Sequence, residues 1–427
     1  MFRWLLLALL LLSSACRCGA DDDSTLIVTK DQQSKDQKAK ARPKAKGKIP
    51  HRRVKSKPTK KQAEKIKELE AIGYLAEVEE EPPPSDKVIV RHNQEKAYAG
   101  LNFYISAHAP AAILMDMEGS VLHTWMTDFD TVWPDNDTEA DHNGRRSFRR
   151  GALLKNGDVL GIFEGLGIVR LDKSSKLKWA ALNRAHHDLF VNGDEVYVLV
   201  REAHMVPRID AEEPIAEDFV AVLDLATGKE KERHSILEAY EKYPEFNAVM
   251  SEKGVKKAAD IFHTNSLEVL DGRFADQLPM LAAGNLLLSA RNLDTIQVFD
   301  WQKKAITWSY HGGFARQHDP KLLENGNMLL FDNSKGKFSR VLELNPKTLE
   351  TVWEFAGNEE RVFRSSACGA AQRLPNGNTL VTESGRGRAF ELDGNDELVW
   401  VFRTPHKTER DGEKKMARLY EVIRLET

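Results

Sequence analysis

The chain has 427 residues and a mass of 48.3 kDa, long enough for a large hydrophobic core even without its basic N-terminal region. It contains only three cysteines, Cys16, Cys18 and Cys368, which excludes a fold held by a disulfide framework. The net charge of −3 hides an asymmetry, because residues 30–65 carry fifteen Lys and Arg against three Asp and Glu, leaving −15 on the rest of the chain.

The first predicted element is a signal peptide. MFRWLLLALLLLSSAC has one basic residue, an apolar run from Leu5 to Leu12 and then small residues, and the run is too short to span a bilayer. Ser13-Ser14-Ala15 before Cys16 loosely resembles a bacterial lipobox. We therefore expect a signal peptide over residues 1–15, a lipid on Cys16, and an exported protein that is periplasmic or membrane-anchored in a bacterium. Cleavage by ordinary signal peptidase is the alternative.

A basic segment follows over residues 16–60. It has too little apolar content to offset the entropy of ordering the chain, so we expect a disordered tether. The tether is either simply solvated or contacts anionic surfaces of the cell envelope. We expect no nucleic acid as a partner, because no aromatic residues are interleaved for base stacking.

A short helix and a Pro-rich linker, residues 61–94, separate the tether from the main domain. KKQAEKIKELEAIGYLAEV (60–78) has apolar residues near helical spacing, and EEEPPPSD (79–86) ends the helix. The apolar positions are Ile66, Leu69, Ile72 and Leu75.

From Gly100 onward a repeated unit occupies the chain. RGALLKNGDVLGIFEGLGIVRLDKSSKLKWAAL (150–182) predicts a strand, an Asn-Gly turn, two strands, a second turn and a strand that contains Trp. The same order recurs four times after it, and a shorter copy precedes it over 104–125. The turn markers are Asn156-Gly157, Asn192-Gly193, Gly284-Asn285, Asn325-Gly326 and Asn376-Gly377. The closing tryptophans are Trp125, Trp179, Trp308, Trp353 and Trp400, and the region around Lys231 lacks one.

Six such units predict an all-β fold, a six-bladed β-propeller over residues 95–427. Four antiparallel strands cannot bury both faces alone, but they can when they pack against copies of themselves around an axis. The last run, ARLYEVIRL (417–425), should complete the first blade. Inserts at 201–218 and 235–262 would be loops, the second partly helical and able to cover one face. A β-solenoid or stacked sandwich is the alternative fold.

Histidines recur at the entrance of first strands. His187, His263 and His318 stand there in three units, and the first strand of each propeller blade lines the central channel. We therefore expect the three imidazoles to converge at one channel mouth. Arg291 follows the second strand of the unit that contains His263, and Asn265 lies two residues beyond His263 on the same strand face. Three imidazoles also suit zinc, but the adjacent Arg291 favours an anion, so we predict neither a metal nor a cofactor.

The neighbours of these histidines have plainer expected roles. Asp188 and Asp319 each follow a site histidine and should face away from it by strand alternation, capping turns or holding a neighbouring tautomer. His186 should also face away, and Cys368 should be a weakly polar part of the channel lining. The remaining histidines of the domain have no repeat-level reason to converge: His108, His123, His204, His311 and His406.

Five segments together resemble a known family: HHD before a strand, HTNS, SARNLDTI, QHDPKLLENGN and QRLPNGNTLVTES. They are similar to the bacterial aryl-sulfate sulfotransferases (ASST), over roughly residues 95–425. The resemblance implies an exported six-bladed propeller that moves a sulfuryl group from a phenolic sulfate ester to a phenol without the nucleotide donor PAPS. It implies a ping-pong reaction through a sulfohistidine, with His318 as nucleophile and His187, His263, Arg291 and Asn265 in support.

The residue types suit this chemistry. A neutral imidazole can attack sulfur, His187 or His263 can supply a proton to the departing phenoxide, and Arg291 and Asn265 can meet the charge on the sulfuryl oxygens. Which of the two histidines is the acid and base stays open. A non-catalytic, anion-binding or scaffolding propeller of the cell envelope is the alternative, followed by a hydrolase or metal-dependent lactonase.

The chain departs from the family pattern in two respects. Its body contains only Cys368 where the family has a disulfide near the site, and a basic tether with a short helix stands in place of an N-terminal β-domain used for dimerisation. The sequence therefore predicts neither the oligomeric state nor the physiological donor and acceptor.

Overall fold

The computed structural model describes residues 58–70, 87–137, 142–252, 259–410 and 412–426. The predicted signal peptide, the Cys16 lipid site, most of the tether and the second half of the predicted helix lie outside these ranges. Within them, no helix is both long and apolar enough to cross a membrane.

The described strands form six antiparallel blades around a central channel. After β1 (Ile89–His92), blade 1 contains β2 (Leu101–Ser106), β3 (Ala111–Met115) and β4 (Val121–Met126), and blade 2 contains β5 (Phe148–Leu153), β6 (Val159–Phe163), β7 (Gly167–Leu171) and β8 (Leu177–Ala181). Blade 3 contains β9 (Ala185–Asn192), β10 (Glu195–His204), β11 (Ile215–Asp224) and β12 (Glu230–Ser235), and blade 4 contains β13 (Thr264–Val269), β14 (Leu286–Ala290), β15 (Thr295–Asp300) and β16 (Ala305–His311).

The chain continues through the last two blades to a closing strand. Blade 5 contains β17 (His318–Leu322), β18 (Met328–Asp332), β19 (Arg340–Leu344) and β20 (Thr351–Ala356), and blade 6 contains β21 (Ala370–Arg373), β22 (Thr379–Glu383), β23 (Arg388–Leu392) and β24 (Leu398–Arg403). A hairpin of β25 (Lys407–Arg410) and β26 (Glu413–Met416) leads to β27 (Leu419–Leu425). The described helices are α1 (Lys60–Glu70), α2 (Phe129–Val132), α3 (Ile236–Tyr240) and α4 (Phe246–Glu252).

Strand β27 closes the ring as the sequence predicted. It pairs with β2 and occupies the innermost position of blade 1, which β5, β9, β13, β17 and β21 occupy in the other blades. The predicted six-bladed propeller is thus confirmed, with its first and last strands joined by hydrogen bonds rather than by chain connectivity.

The closing tryptophans join neighbouring blades. The indole Nε1 of Trp125 donates to the carbonyl of Gly157 in the next blade at 3.0 Å, and Trp179 donates to Leu225 at 2.9 Å. Trp400 donates to Met117 at 3.0 Å and so links blade 6 to blade 1. The apolar faces of these strands form the buried clusters between blades, where burial of the large side chains is the main stabilising contribution.

Two predicted boundaries need correction. Residues 201–204 and 215–218 are not a loop, because they extend β10 and β11 into a long hairpin. Strand β1 is not linker but the fifth, outer strand of blade 6, paired with β24. The segment 235–262 is partly helical as predicted, and α3 packs against β11, β12 and β16.

The described part of the N-terminal helix lies on the propeller. Helix α1 contacts β10 and β11, and its buried face centres on Leu69. Gln62 donates to the carbonyl of Glu212 at 2.8 Å, and Arg184 pairs with Glu70. These contacts place the end of the tether beside blade 3.

Candidate active site

The innermost strands of blades 2 to 5 are irregular where they begin. Each of β5, β9, β13 and β17 has a register shift there against the next strand of its blade. His187, His263 and Asp319 have φ values of 54°, 48° and 53°, a conformation that costs free energy for residues other than glycine. The bulges interrupt strand alternation, so successive side chains are aimed by local backbone conformation rather than by the period of two.

His318 lies at the start of β17 in blade 5 and is only 4% exposed. Its Nδ1 is 2.6 Å from Oδ1 of Asn333 and 3.0 Å from the carbonyl oxygen of Arg316. Both neighbours are acceptors, so Nδ1 must carry the proton and donate. The lone pair is then on Nε2, which has no hydrogen-bond partner among the described residues.

Asn333 fixes this tautomer because its own amide orientation is determined. Its Nδ2 donates to the carbonyl oxygens of Ser365 and Cys368, at 2.8 and 2.7 Å. An amide with its nitrogen held by two carbonyls can present only its oxygen to His318. Asn333 is fully buried, so water does not compete for these bonds.

His263, at the entrance of β13 in blade 4, forms a carboxylate–imidazole pair. Its Nδ1 lies 2.5 Å from Oδ2 of Asp260, and its backbone N–H donates to the other oxygen of that carboxylate at 3.1 Å. Burial raises the pKa of Asp260, but the charges of Arg201 and His263 outweigh this and hold that pKa below its ordinary value. Asp260 is thus ionised, and His263 directs Nε2 away from it.

His187 lies beside His263, with the ring centroids 5.0 Å apart. Its Nδ1 is 2.8 Å from Nδ1 of His186 and 3.2 Å from Oε1 of Glu164, and its backbone N–H donates to Oε2 of Glu164 at 2.9 Å. His186 therefore contacts His187 rather than facing away from the site, and that prediction is wrong. The bulge in β9 explains the difference.

Arg291 and Asn265 each donate a hydrogen bond to a neighbouring part of the chain. Arg291 follows β14, and one of its guanidinium nitrogens donates to Asn292 at 3.0 Å. Asn265 donates through Nδ2 to the carbonyl of Gln317 at 2.9 Å, while its buried Oδ1 has no hydrogen-bond partner among the described residues. Both residues lie on blade 4, the blade of His263.

Burial, helped by nearby positive charges, keeps the site histidines neutral. Burial, together with Arg291 and Arg149, holds the pKa of His318 well below its ordinary value, although the hydrogen bond to Asn333 acts in the opposite direction. Burial and Arg149 do the same to the pKa of His187. Burial also lowers the pKa of His263, with Asp260 opposing it. Imidazoles with lowered pKa values are unprotonated at neutral pH and available as nucleophiles or bases.

The residues that could hold a metal ion differ from the three histidines considered from the sequence. Ligand atoms of Glu164, His186 and His187 lie within 4.8 Å of one another. Arg149 and Arg201 both act on these histidines as positive neighbours, which opposes binding of a dication. The surroundings therefore suit an anion better.

Comparison with known families adds independent evidence. The family model for arylsulfotransferase (ASST) matches residues 150–405, from the start of blade 2 to the end of blade 6. The chain belongs to the arylsulfotransferase family. All five site residues predicted from the sequence fall inside the matched range. No curated protein matches the sequence.

Solved structures similar to this arylsulfotransferase-family protein have low identity. A protein of unknown function from Bacteroides caccae is 10% identical, with 72% of this chain and 94% of that chain covered and a TM-score of 0.44. A streptogramin B lyase is 9% identical, with 82% and 98% covered and a TM-score of 0.42. BamB from Moraxella catarrhalis is 12% identical, with 76% and 90% covered and a TM-score of 0.36.

Asp188 and Asp319 do not mainly cap turns in this arylsulfotransferase-family protein, which corrects the sequence-based interpretation. Each accepts a hydrogen bond from Arg150 at 2.8 Å, and Arg150 also contacts Glu421 at 2.7 Å. One buried guanidinium of blade 2 thus joins carboxylates of blades 3, 5 and 1 across the channel. Burial raises the pKa of Glu421 to about 7 even with Arg150 beside it.

Sequence reasoning missed Asn333, Asp260 and Arg149. Asn333 directly follows the second strand of its blade, as Arg291 does in blade 4, and this shared position was an available signal. Asp260 lies three residues before His263, and this spacing did not indicate in the sequence that the two side chains would meet. Arg149 was not recognised because blade 2 has no histidine at its entrance.

Cys368 and the five other histidines considered from the sequence make contacts that are mostly outside the site. Cys368 is buried, and Arg149 donates to its Sγ at 3.4 Å. His108 and His406 do meet each other, contrary to expectation, with ring centroids 3.7 Å apart and nearly parallel planes. The other three bond elsewhere: His123 to Lys173, His204 to Glu217 and His311 to Asp294.

Proposed function

We propose that the protein is a PAPS-independent aryl-sulfate sulfotransferase that transfers the sulfuryl group of a phenolic sulfate ester to a phenolic acceptor by a ping-pong mechanism through His318. Membership of the family supports arylsulfotransferase activity in general, without specifying the mechanism. One structural observation carries the finer proposal. Asn333 and the Arg316 carbonyl hold the proton of His318 on Nδ1, which leaves the Nε2 lone pair for nucleophilic attack.

In the first half-reaction, Nε2 of His318 attacks the sulfur of the donor. An N–S bond forms, the S–O bond to the phenol breaks, and the electron pair of that bond leaves with the phenoxide oxygen. In the second half-reaction an acceptor phenol oxygen attacks the same sulfur and the N–S bond breaks. His318 is regenerated with its Nδ1 proton still held by Asn333.

The sequence left open which of His187 and His263 exchanges protons with the substrates. His263 is the better candidate. Its pairing with Asp260 at 2.5 Å fixes the proton on Nδ1 and exposes Nε2 as a base, the arrangement that also stabilises an imidazolium when Nε2 takes a proton. The Nδ1 of His187 is shared with His186, so no carboxylate alone orients it. In the second half-reaction Nε2 of His263 takes the proton of the attacking phenol and later releases it to solvent. In the first half-reaction the donor phenoxide departs as the anion, because the pKa of His263 is lowered and its Nε2 carries no proton to give.

Arg291 and Asn265 supply the electrostatic part of the proposal. Arg291 lies close enough to lower the pKa of both His318 and His263, so its charge also acts on a sulfuryl group between them. A cation already in place costs no reorganisation when charge spreads onto the sulfuryl oxygens. Asn265 orients bound substrate from the same blade.

The cellular setting is part of the proposal. The signal-like N-terminus, with Cys16 as a lipid site, supports export to the periplasm or the outside of a membrane, and the basic tether supports contact with anionic envelope surfaces. Small phenolic sulfate donors and phenolic acceptors are the proposed substrates.

A transfer assay tests the activity. Purified full-length protein is incubated with p-nitrophenyl sulfate, with and without phenol, in the absence of PAPS. We expect nitrophenol release that depends on phenol, with phenyl sulfate as the second product. Release with free sulfate would instead indicate a hydrolase. No release, with retained binding of the aryl sulfate, would favour the non-catalytic anion-binding propeller.

Replacement of Asn333 tests the tautomer. Asn333→Leu removes the nearer of the two acceptors at Nδ1 and leaves only the Arg316 carbonyl. We expect kcat to fall by about 10²-fold because a fraction of His318 then carries its proton on Nε2. Asn333→Asp places a carboxylate at 2.6 Å from Nδ1 and raises the pKa of His318, which is lowered in the wild type.

The pH profile of these variants distinguishes the tautomer from general damage. Attack needs neutral His318, so kcat/KM is lost as pH falls through its folded-state pKa, which in the wild type lies well below 6.5. Asn333→Asp should move this acid limb to higher pH. An unchanged limb in the folded Asp variant would show that Asn333 does not act on His318.

A further inference from the structure

Arg149 occupies the same strand register in blade 2 as Asn265 in blade 4 and His318 in blade 5. In each of these blades, one residue of the innermost strand pairs with the first residue of the second strand: Leu153, Val269 and Leu322. Four positions before these lie Arg149, Asn265 and His318, and all three are buried. Blade 2 therefore contributes an arginine to the ring of side chains that contains the proposed nucleophile.

Arg149 and His318 stand on opposite blades of the six-bladed ring. The residues that directly follow them, Arg150 and Asp319, are joined across the channel by a hydrogen bond of 2.8 Å. The two strands are thus close at this level. The charge of Arg149 also reaches the histidines, because it contributes to the lowered pKa values of His318 and His187.

The two adjacent arginines of β5 differ in how well their charge is compensated. Each of the three guanidinium nitrogens of Arg150 contacts a carboxylate at 2.7 or 2.8 Å, so its charge is closely compensated. Among the described residues, the carboxylate that Arg149 approaches is that of Glu164, 4.0 Å from Nε, and its Nη2 donates to the sulfur of Cys368 at 3.4 Å. The buried Nε of Arg149 has no hydrogen-bond partner among the described residues.

Burying Arg149 in this way costs folding free energy unless an anion binds to its guanidinium. A buried donor without a partner loses the solvation that it has in water, and a buried cation with loose compensation loses more. The Cζ of Arg149 lies 4.8 Å from the ring centroid of Tyr420, a cation–π contact that holds the guanidinium in place before any anion binds. A planar fork with spare donors matches a group with several anionic oxygens.

We propose that Arg149 binds oxygens of the sulfuryl group opposite His318 and is a second cation of the transfer site, together with Arg291. The proposal rests on the proposed function for the identity of the anion. Arg149 forms and breaks no covalent bond. It contributes by stabilising the negative charge on the sulfuryl oxygens while the group passes to and from Nε2 of His318.

The test uses Arg149→Gln, Arg149→Lys and a matched control, Arg170→Gln. Arg170 lies on β7 of the same blade, is largely buried and is bonded to Asp158 and the carbonyl of Leu225. Each full-length variant is checked by far-UV circular dichroism and then assayed with p-nitrophenyl sulfate and phenol. We expect Arg149→Gln to lower kcat by about 10²- to 10³-fold with a smaller change in KM, and Arg170→Gln to change kcat by less than about threefold.

Arg149→Lys keeps the positive charge near Glu164 and Cys368, so it serves as the test variant if Arg149→Gln does not fold. We expect it to fold and to lower kcat by about tenfold, since it loses the two-pronged contact. If folded Arg149→Gln and Arg149→Lys both keep kcat within about threefold of Arg170→Gln, the proposal is overturned.

Equilibrium dialysis with radiolabelled inorganic sulfate separates this proposal from the proposed function. If the wild type transfers no sulfuryl group, the proposed function fails, whereas Arg149 is still tested by sulfate binding. Weakening of sulfate affinity by about tenfold or more in Arg149→Gln relative to Arg170→Gln supports an anion site at Arg149. Equal affinities in the two variants overturn it.

Discussion

Replacement of His318 by alanine is expected to reduce kcat for sulfuryl transfer by about 10⁴- to 10⁶-fold, the range seen when a covalent nucleophile is removed. His318 supplies the only proposed covalent link between the two half-reactions, so neither half should proceed by this route without it. Folding should be retained, because among the residues that the structure describes the imidazole makes hydrogen bonds only through Nδ1.

Intact-mass analysis makes this prediction specific. Wild-type protein incubated with p-nitrophenyl sulfate alone, and analysed without acid, should gain one sulfuryl group. His318→Ala should gain none. His123→Ala is the control, since His123 lies on the outer strand β4 and bonds only to the carbonyl of Lys173 among the described residues. A wild type without added mass, or an equal gain in His318→Ala, would contradict the sulfohistidine.

Replacement of Arg150 by leucine is expected to destabilise the fold by about 3–5 kcal/mol. The loss leaves the carboxylates of Asp188 and Glu421 buried without their guanidinium partner, while Asp319 keeps Lys321 at 3.3 Å. These groups belong to the innermost strands of three different blades, so their repulsion acts directly on closure of the ring.

Urea unfolding, followed by tryptophan fluorescence, measures this effect. Arg208→Leu is the control, because Arg208 is 46% exposed and pairs with Glu241 at the surface; its loss should change the free energy of unfolding by less than about 1 kcal/mol. Similar unfolding free energies for the Arg150 and Arg208 variants would show that the buried ion cluster does not hold the blades together.

The propeller could be predicted because its signals are local. The turn dipeptides, the alternation of apolar residues and the closing tryptophans all repeat along the chain, and each depends on neighbours a few residues away. Gly326 and Gly377 have φ values of 85° and 88°, as the Asn-Gly turns require. Strand β27 followed from the same pattern, because a run of alternating apolar residues needs a sheet to join.

The partners within the site could not be predicted in the same way. Strand alternation placed His186 away from the site and gave Asp188 and Asp319 a role in turns. The bulges in β9 and β17 and the positive φ of His187 and Asp319 remove that alternation at the channel mouth. Backbone strain of this kind is stabilised by contacts with other blades, which are distant in sequence.

By itself, then, the sequence determined a repeated four-stranded unit, its six copies and the recurrence of histidines at strand entrances. Only the tertiary structure decided which polar groups meet: Asn333 with His318, Asp260 with His263, and Arg150 with three carboxylates. The physical reason is that strand periodicity is a short-range property of the chain. Hydrogen-bond and charge compensation at the channel depends instead on ring closure, which brings all six innermost strands together.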